Sequence, residues 1–151
     1  MRTDTFEMMM GYLTRNFGAT GLSISYSMGV ANGKYEVAQI REELKRLEAP
    51  ATKKELLEKS LQRLTAMGWG KLKLAELNTI TGENTVTVEQ NPFREGCDPK
   101  DNGGCYFLQG FVAGVVSETL EEDVTYIDTR CTHEDLKGCS FHLMRSKSKN
   151  L

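Results

Sequence analysis

From Cys105 to Cys139 the chain reads CYFLQGFVAGVVSETLEEDVTYIDTRCTHEDLKGC, and no other stretch restricts its folding options so sharply. The apolar residues Phe107, Leu108, Phe111, Val112, Val115 and Val116 recur at three- and four-residue spacing, which predicts a helix over 106–120 opened by Cys105, with Gly103-Gly104 as the loop before it. The period then changes to two. Val124, Tyr126 and Asp128 alternate with Thr125, Ile127 and Thr129, so 124–130 reads as a strand that Cys131 ends. A short polar loop, THEDLKG, leads to a second strand, CSFHLM, beginning at Cys139. A hairpin sets the end of one strand beside the start of the next, which brings Cys131 and Cys139 together. A helix crossing the hairpin with its N-terminal end at the loop adds Cys105, and Asp128 joins them if its strand twists or bulges. Three thiolates and a carboxylate suit tetrahedral zinc.

Two alternatives stay open on the residues alone. Cys97 stands eight residues before Cys105, so four cysteines without Asp128 also make a ligand set. The other is that no metal binds and the cysteines are core thiols.

At these residues the chain resembles the 4-vinyl reductase domain family. The resemblance lies in a Cys-x-Phe-x-x-Gly helix start (Cys105, Phe107, Gly110), a strand ending acidic-x-x-Cys (Asp128, Cys131) and a closing Cys-x-Phe strand (Cys139, Phe141). It implies a structural zinc held by Cys105, Asp128, Cys131 and Cys139, although the family commonly has Glu where this chain has the shorter Asp128. It also implies a fold similar to that of trafficking-complex subunits and haem-based gas sensors, and dimerisation through the N-terminal helices. Some members are the aromatic-sensing input domains of bacterial transcription activators, and Tyr126 matches a strand aromatic in those. The family's Tyr-x-x-Gly-x-x-x-Gly stretch is similar to Tyr26, Gly29 and Gly33.

The remaining features bound the function class. At 151 residues the chain is long enough for one domain with a real core. A net charge of −2 gives no electrostatic footprint for nucleic acid or an anionic membrane. No segment reaches the roughly 20 apolar residues of a membrane span. The opening MRTDTFEMMMGYL lacks the layout of a signal peptide, so a cytoplasmic location is expected and the four cysteines read as thiols or metal ligands. No nucleophile triad, dinucleotide fingerprint or P-loop is present; GVANGK matches neither glycine motif.

In chain order, Asp4 or Thr5 caps a first helix through Phe17, with Phe6, Met9, Met10, Leu13 and Phe17 on one face. A long helix follows over 22–47, its first half rich in small residues. Gly29 and Gly33 there imply close helix approach, room for a ligand, or both, since interior glycine costs roughly 1 kcal/mol. Pro50 ends it, and Thr52-x-x-Glu55 forms a capping box for a helix over 53–67 with Leu56, Leu57, Leu61, Leu64 and Met67 buried. Gly68-Trp69-Gly70 breaks that helix. Strands over 71–80, with a slip near Ala75, and 85–89 form a hairpin around Gly82-Glu83-Asn84. The loop after Gln90 is long enough to suggest a functional or variable insert, and His142 reads as a hydrogen-bonded sheet residue facing away from Phe141.

The chain is therefore expected to be a single α+β domain over 1–151: N-terminal helices, β-hairpin, helix and β-hairpin, with one antiparallel sheet packed on helices. The expected function is a zinc-stabilised module for a small apolar or aromatic ligand, forming a homodimer and binding neither nucleic acid nor membrane. Trp69, Phe107, Phe111 and Tyr126 are its candidate ligand-binding residues. A zinc with four protein ligands has no open position, so its role is structural. One alternative is an enzyme or enzyme subunit acting on a vinyl-bearing tetrapyrrole, and another is a dimeric scaffold with a solid core.

Overall fold

The structure is a computed structural model that describes residues 3–78, 80–93, 103–132 and 138–146, the side chains of 3, 103, 104, 125–132 and 138 excepted. Its elements are α1 (Thr3–Phe17), α2 (Ala19–Arg46), α3 (Lys53–Ala66), β1 (Lys71–Leu77), β2 (Asn84–Glu89), α4 (Gly103–Leu120), β3 (Val124–Thr132) and β4 (Gly138–Arg145). The strands form one antiparallel sheet in the order β1-β2-β4-β3. The α+β architecture and the joining of both hairpins in one sheet are as the sequence indicates.

One residue separates α1 from α2. Gly18 sits at φ 54° and ψ −130°, a conformation that a side chain makes costly, so the chain reverses there within a single position. Phe6, Met10 and Thr14 form the buried face of α1, and the Thr14 hydroxyl donates to the Met10 carbonyl. Met9 and Phe17 are exposed, contrary to the expected stripe, because the buried line follows four-residue steps from Phe6.

The buried line of α2 is Gly21, Ser25, Gly29, Gly33, Val37 and Ile40. It lies against α4, whose own small residues, Gly110 and Gly114, are also four apart. A Cβ on Gly29 would strike the Phe107 carbonyl oxygen, and one on Gly33 the Phe111 carbonyl oxygen. Reciprocally, a Cβ on Gly110 would strike the Tyr26 carbonyl and one on Gly114 the Val30 carbonyl. The two backbones are thus in direct contact, and close packing accounts for Gly29 and Gly33.

The capping box on α3 forms as read: the Glu55 amide donates to the Thr52 hydroxyl and the Thr52 amide donates to the Glu55 carboxylate. Leu56, Leu57, Ser60, Leu61 and Leu64 are buried, whereas Met67 is exposed at the C-cap, one residue beyond the helix. Arg63 bridges to Glu36 at 2.9 Å and to Glu43 at 2.7 Å, fastening α3 to α2. Thr65 accepts the Leu72 amide and so satisfies a donor on the outer edge of β1.

Leu72, Val86, Val88, Cys139, Phe141 and Leu143 are buried on the helix-facing side of the sheet. His142 is exposed on the other side and its ring lies 3.2 Å from the Thr85 hydroxyl, the role expected of it. The slip near Ala75 is a register shift between Leu74 and Glu76. Gly103 and Gly104 belong to α4 rather than to a loop, which places Cys105 inside the first turn.

Gly110→Ala tests the interlocked backbones. Helix propensity alone would add about 1 kcal/mol of stability, whereas forcing α2 and α4 apart costs roughly 1–3 kcal/mol or more. The expected result is a thermal midpoint lowered by about 5 °C, at roughly 2–4 °C per kcal/mol for a chain of this size. A raised midpoint would show that the helices do not meet at backbone distance.

Candidate functional site

Two clusters lie side by side at one end of the helix–sheet interface. The first is built of sulfur and amide. Cys105 in the first turn of α4 is 5% exposed and Cys139 at the start of β4 is 9% exposed. Both sulfurs lie 3.5 Å from the same atom, Nδ2 of Asn91, a residue 5% exposed just after β2. The chain leaves β2 through Gln90 at φ 54°, which turns it back over the buried side. The Asn91 amide is oriented from its other end. Its Oδ1 accepts the Phe93 backbone N–H at 3.0 Å, an Asx turn with Pro92 between them. Because a backbone N–H can only donate, Oδ1 must face it and Nδ2 must face the sulfurs.

The third expected thiol is placed by backbone register. Cys131 pairs directly with Cys139, and Asp128 pairs with His142 after a register shift between Tyr126 and Asp128. That shift ends at Asp128, which holds the register position opposite exposed His142, whereas Cys131 holds the one opposite buried Cys139, so the irregularity does not bring Asp128 to the register of the thiols. The side chains of Asp128, Cys131 and Tyr126, and all of Cys97, lie outside the described residues. Among the described residues no group of three or more His, Cys, Asp or Glu side chains is gathered around one point. Two buried sulfurs on one amide nitrogen, with a third cysteine paired to one of them across the ladder, make a ligand set of the soft kind that zinc prefers.

The second cluster is aromatic. Phe107, two residues beyond Cys105, lies 5.3 Å from Trp69 and 6.4 Å from Phe111 between ring centroids. These three candidates from the sequence are therefore neighbours. Two further rings complete the group. Phe6 of α1 lies 4.5 Å from Phe107 and 4.9 Å from Trp69, both edge-on, and Phe93 lies 5.5 Å from Trp69 and 5.8 Å from Phe6. These are contact spacings for tilted aromatic pairs. Phe93 is 1% exposed. Nearby, burial raises the Tyr26 phenol above its ordinary range.

The sequence signal for Asn91 and Phe93 was the Asn-Pro dipeptide, a turn marker that also specifies which side chain bends back on the backbone. Read only as a loop, it gave no reason to expect burial of the residues on either side of the proline.

No known family's sequence profile matches the chain, and no curated protein does. Among solved structures the chain is similar to the crystal structure of the phenol-responsive sensory domain of the transcription activator PoxR with phenol. The TM-score is 0.76 at 13% identity, over 96% of this chain and 75% of that one. The likeness is one of fold, and it agrees with the fold expected from the resemblance to aromatic-sensing input domains.

Phe6→Ala tests the aromatic cluster. The change removes ring contacts to Trp69, Phe93 and Phe107, and the expected loss is about 3–5 kcal/mol of stability by chemical denaturation. Emission from Trp69, the single tryptophan, should shift to longer wavelength in the folded variant. Unchanged emission would place Trp69 away from Phe6.

Proposed function

We propose that this chain is a small-molecule-binding module for an apolar or aromatic ligand, stabilised by zinc and acting as a homodimer. The observation that carries the reading is the cluster of Phe6, Trp69, Phe93, Phe107 and Phe111 beside a buried thiol pair. The similar solved fold is a phenol-responsive sensory domain, which supports the ligand class. Rings at contact spacing leave a ligand to enter by parting them, and the apolar walls supply its affinity while polar neighbours fix its orientation. Tyr126, on β3, is the further lining residue in this reading.

Cys105, Cys131 and Cys139 hold the zinc, the fourth ligand being Asp128 by the family's pattern or Cys97. A metal so held supplies a cross-link and no reactive position. It fastens the start of α4 to the β3–β4 hairpin and closes one end of the ligand site. Ligand binding then shifts the population of conformations that a partner reads.

The dimer reading rests on an apolar surface. Met8, Met9 and Tyr12 of α1 and Ile24 and Met28 of α2 are exposed and line one groove with very little polar surface. A second copy burying the same face removes that surface from water in both chains, a self-complementary arrangement suited to two-fold symmetry.

The ligand reading is tested by titrating the chain with phenol while following Trp69 emission. A saturable change, reduced by about tenfold in affinity or more in Phe107→Ala, is expected, since loss of a well-packed wall costs more than about 1.4 kcal/mol. A linear, non-saturable response would sink the ligand reading. The dimer reading is tested by light scattering of the eluting protein. Twice the 16.9 kDa chain mass is expected, falling to the chain mass in Met9→Glu/Tyr12→Glu. A monomeric wild type would overturn it.

A further inference from the structure

We propose that Asn91 is a positioning residue for the thiol site: its side-chain amide donates to the sulfurs of Cys105 and Cys139 and sets their separation for a shared metal ion. The inference rests on the metal reading above and adds to it a residue that ligates nothing.

Three features of the site lead to it. The first is convergence. Cys105 comes from α4, Cys139 from β4 and Asn91 from the segment after β2, so three separate elements meet at one amide nitrogen. That nitrogen carries two N–H donors, one for each sulfur. The second is rigidity. The Phe93 N–H holds Oδ1 at 3.0 Å, Pro92 narrows the backbone between them, and the Phe93 ring is anchored against Trp69 and Phe6. The amide therefore has one orientation, and it is the one that presents donors to sulfur. The third is the balance of burial against acceptor strength. Asn91 is 5% exposed, and buried N–H groups lose free energy unless they find good acceptors. A neutral thiol is a weak acceptor, whereas a thiolate is a charged and strong one. Asn91 meets that need with two sulfurs, one for each N–H.

An amide donating to a ligand sulfur withdraws electron density from it and fixes its lone-pair direction without occupying a metal position. Outer groups of this type tune both the electronic character of the ligand and the affinity for the ion. Because the same residue holds the Phe93 amide, the metal ligands and the aromatic cluster share one rigid segment.

The test uses the full chain, wild type and Asn91→Ser, with cobalt(II) and zinc as probes. Serine keeps an oxygen able to accept the Phe93 N–H in the equivalent turn, but is too short to reach the sulfurs. The turn and the sulfur contacts are thereby separated. The expected result is stoichiometric cobalt in the wild type, with a sulfur-to-cobalt charge-transfer band. In Asn91→Ser that band should move to lower energy, and zinc affinity by chelator competition should fall by about 10–100-fold. Because losing a buried amide can also weaken folding, a second measurement needs only the wild type loaded with NMR-active cadmium. A scalar coupling between the metal and the Asn91 side-chain amide protons, carried across the N–H···S contact, supports the proposal. An unchanged band and affinity in the folded variant overturn it while leaving the metal reading intact, as does the absence of any coupling in a loaded wild type. A wild type that takes up no metal overturns both.

Discussion

The contact on which the rest of the structure depends is backbone against backbone. Gly29 and Gly33 of α2 meet carbonyls of α4, and Gly110 and Gly114 of α4 meet carbonyls of α2. Where side chains ordinarily separate helices by 8–10 Å, glycines permit closer approach, and the carbonyls of Tyr26, Val30, Phe107 and Phe111 each face a glycine of the opposite helix. The pairing leaves little freedom to slide, because a shift of one residue would set a glycine against a valine or tyrosine. Register along this seam fixes the height of α4 relative to the sheet, and with it the position of Cys105.

From that position the two clusters follow. The first turn of α4 delivers Cys105 to the start of β4, where Cys139 is buried, and the next residues deliver Phe107 to Trp69. The segment Asn91-Pro92-Phe93 lies across both, its amide on the sulfurs and its ring among the aromatics. A polar group in such a place is expensive unless every donor and acceptor is used, and the hydrogen bonds of Asn91 account for its carbonyl and its amine alike. The ring cluster gains from the same burial, since edge-on aromatic pairs add about 0.5–1.5 kcal/mol beyond their buried area.

Much of this was legible in the residues where the signal was local. The capping box of Thr52 and Glu55, the slip near Ala75 and the alternation through Phe141 and Leu143 each depend on neighbours within a few positions. Misreadings occurred where a surface decided the outcome. Met9, Phe17 and Met67 lie on exposed positions although hydrophobicity alone assigned them inward. Which of two adjacent stripes on a short helix faces the core is set by the partner it meets, and the partner is remote in sequence. Gly114 was likewise read only as part of an apolar helix, and Gly110 only as a motif position, since their purpose appears only when Gly29 and Gly33 are set against them.

By itself the sequence determined the order and kind of the elements, the joining of two hairpins in one sheet, and a set of cysteines spaced to meet at a helix start and a hairpin. Hydrophobic period, capping chemistry and turn residues act over one or two turns of chain, so they are written in consecutive residues. The tertiary structure decided what those elements enclose. Phe6 and Phe93 are far apart in the chain, yet the fold sets both rings against Trp69, and the turn at Gln90 puts Asn91 at the thiols. A site gathered from α1, α4, β4 and the segment after β2 depends on distances that close packing sets, and packing is a property of the whole chain.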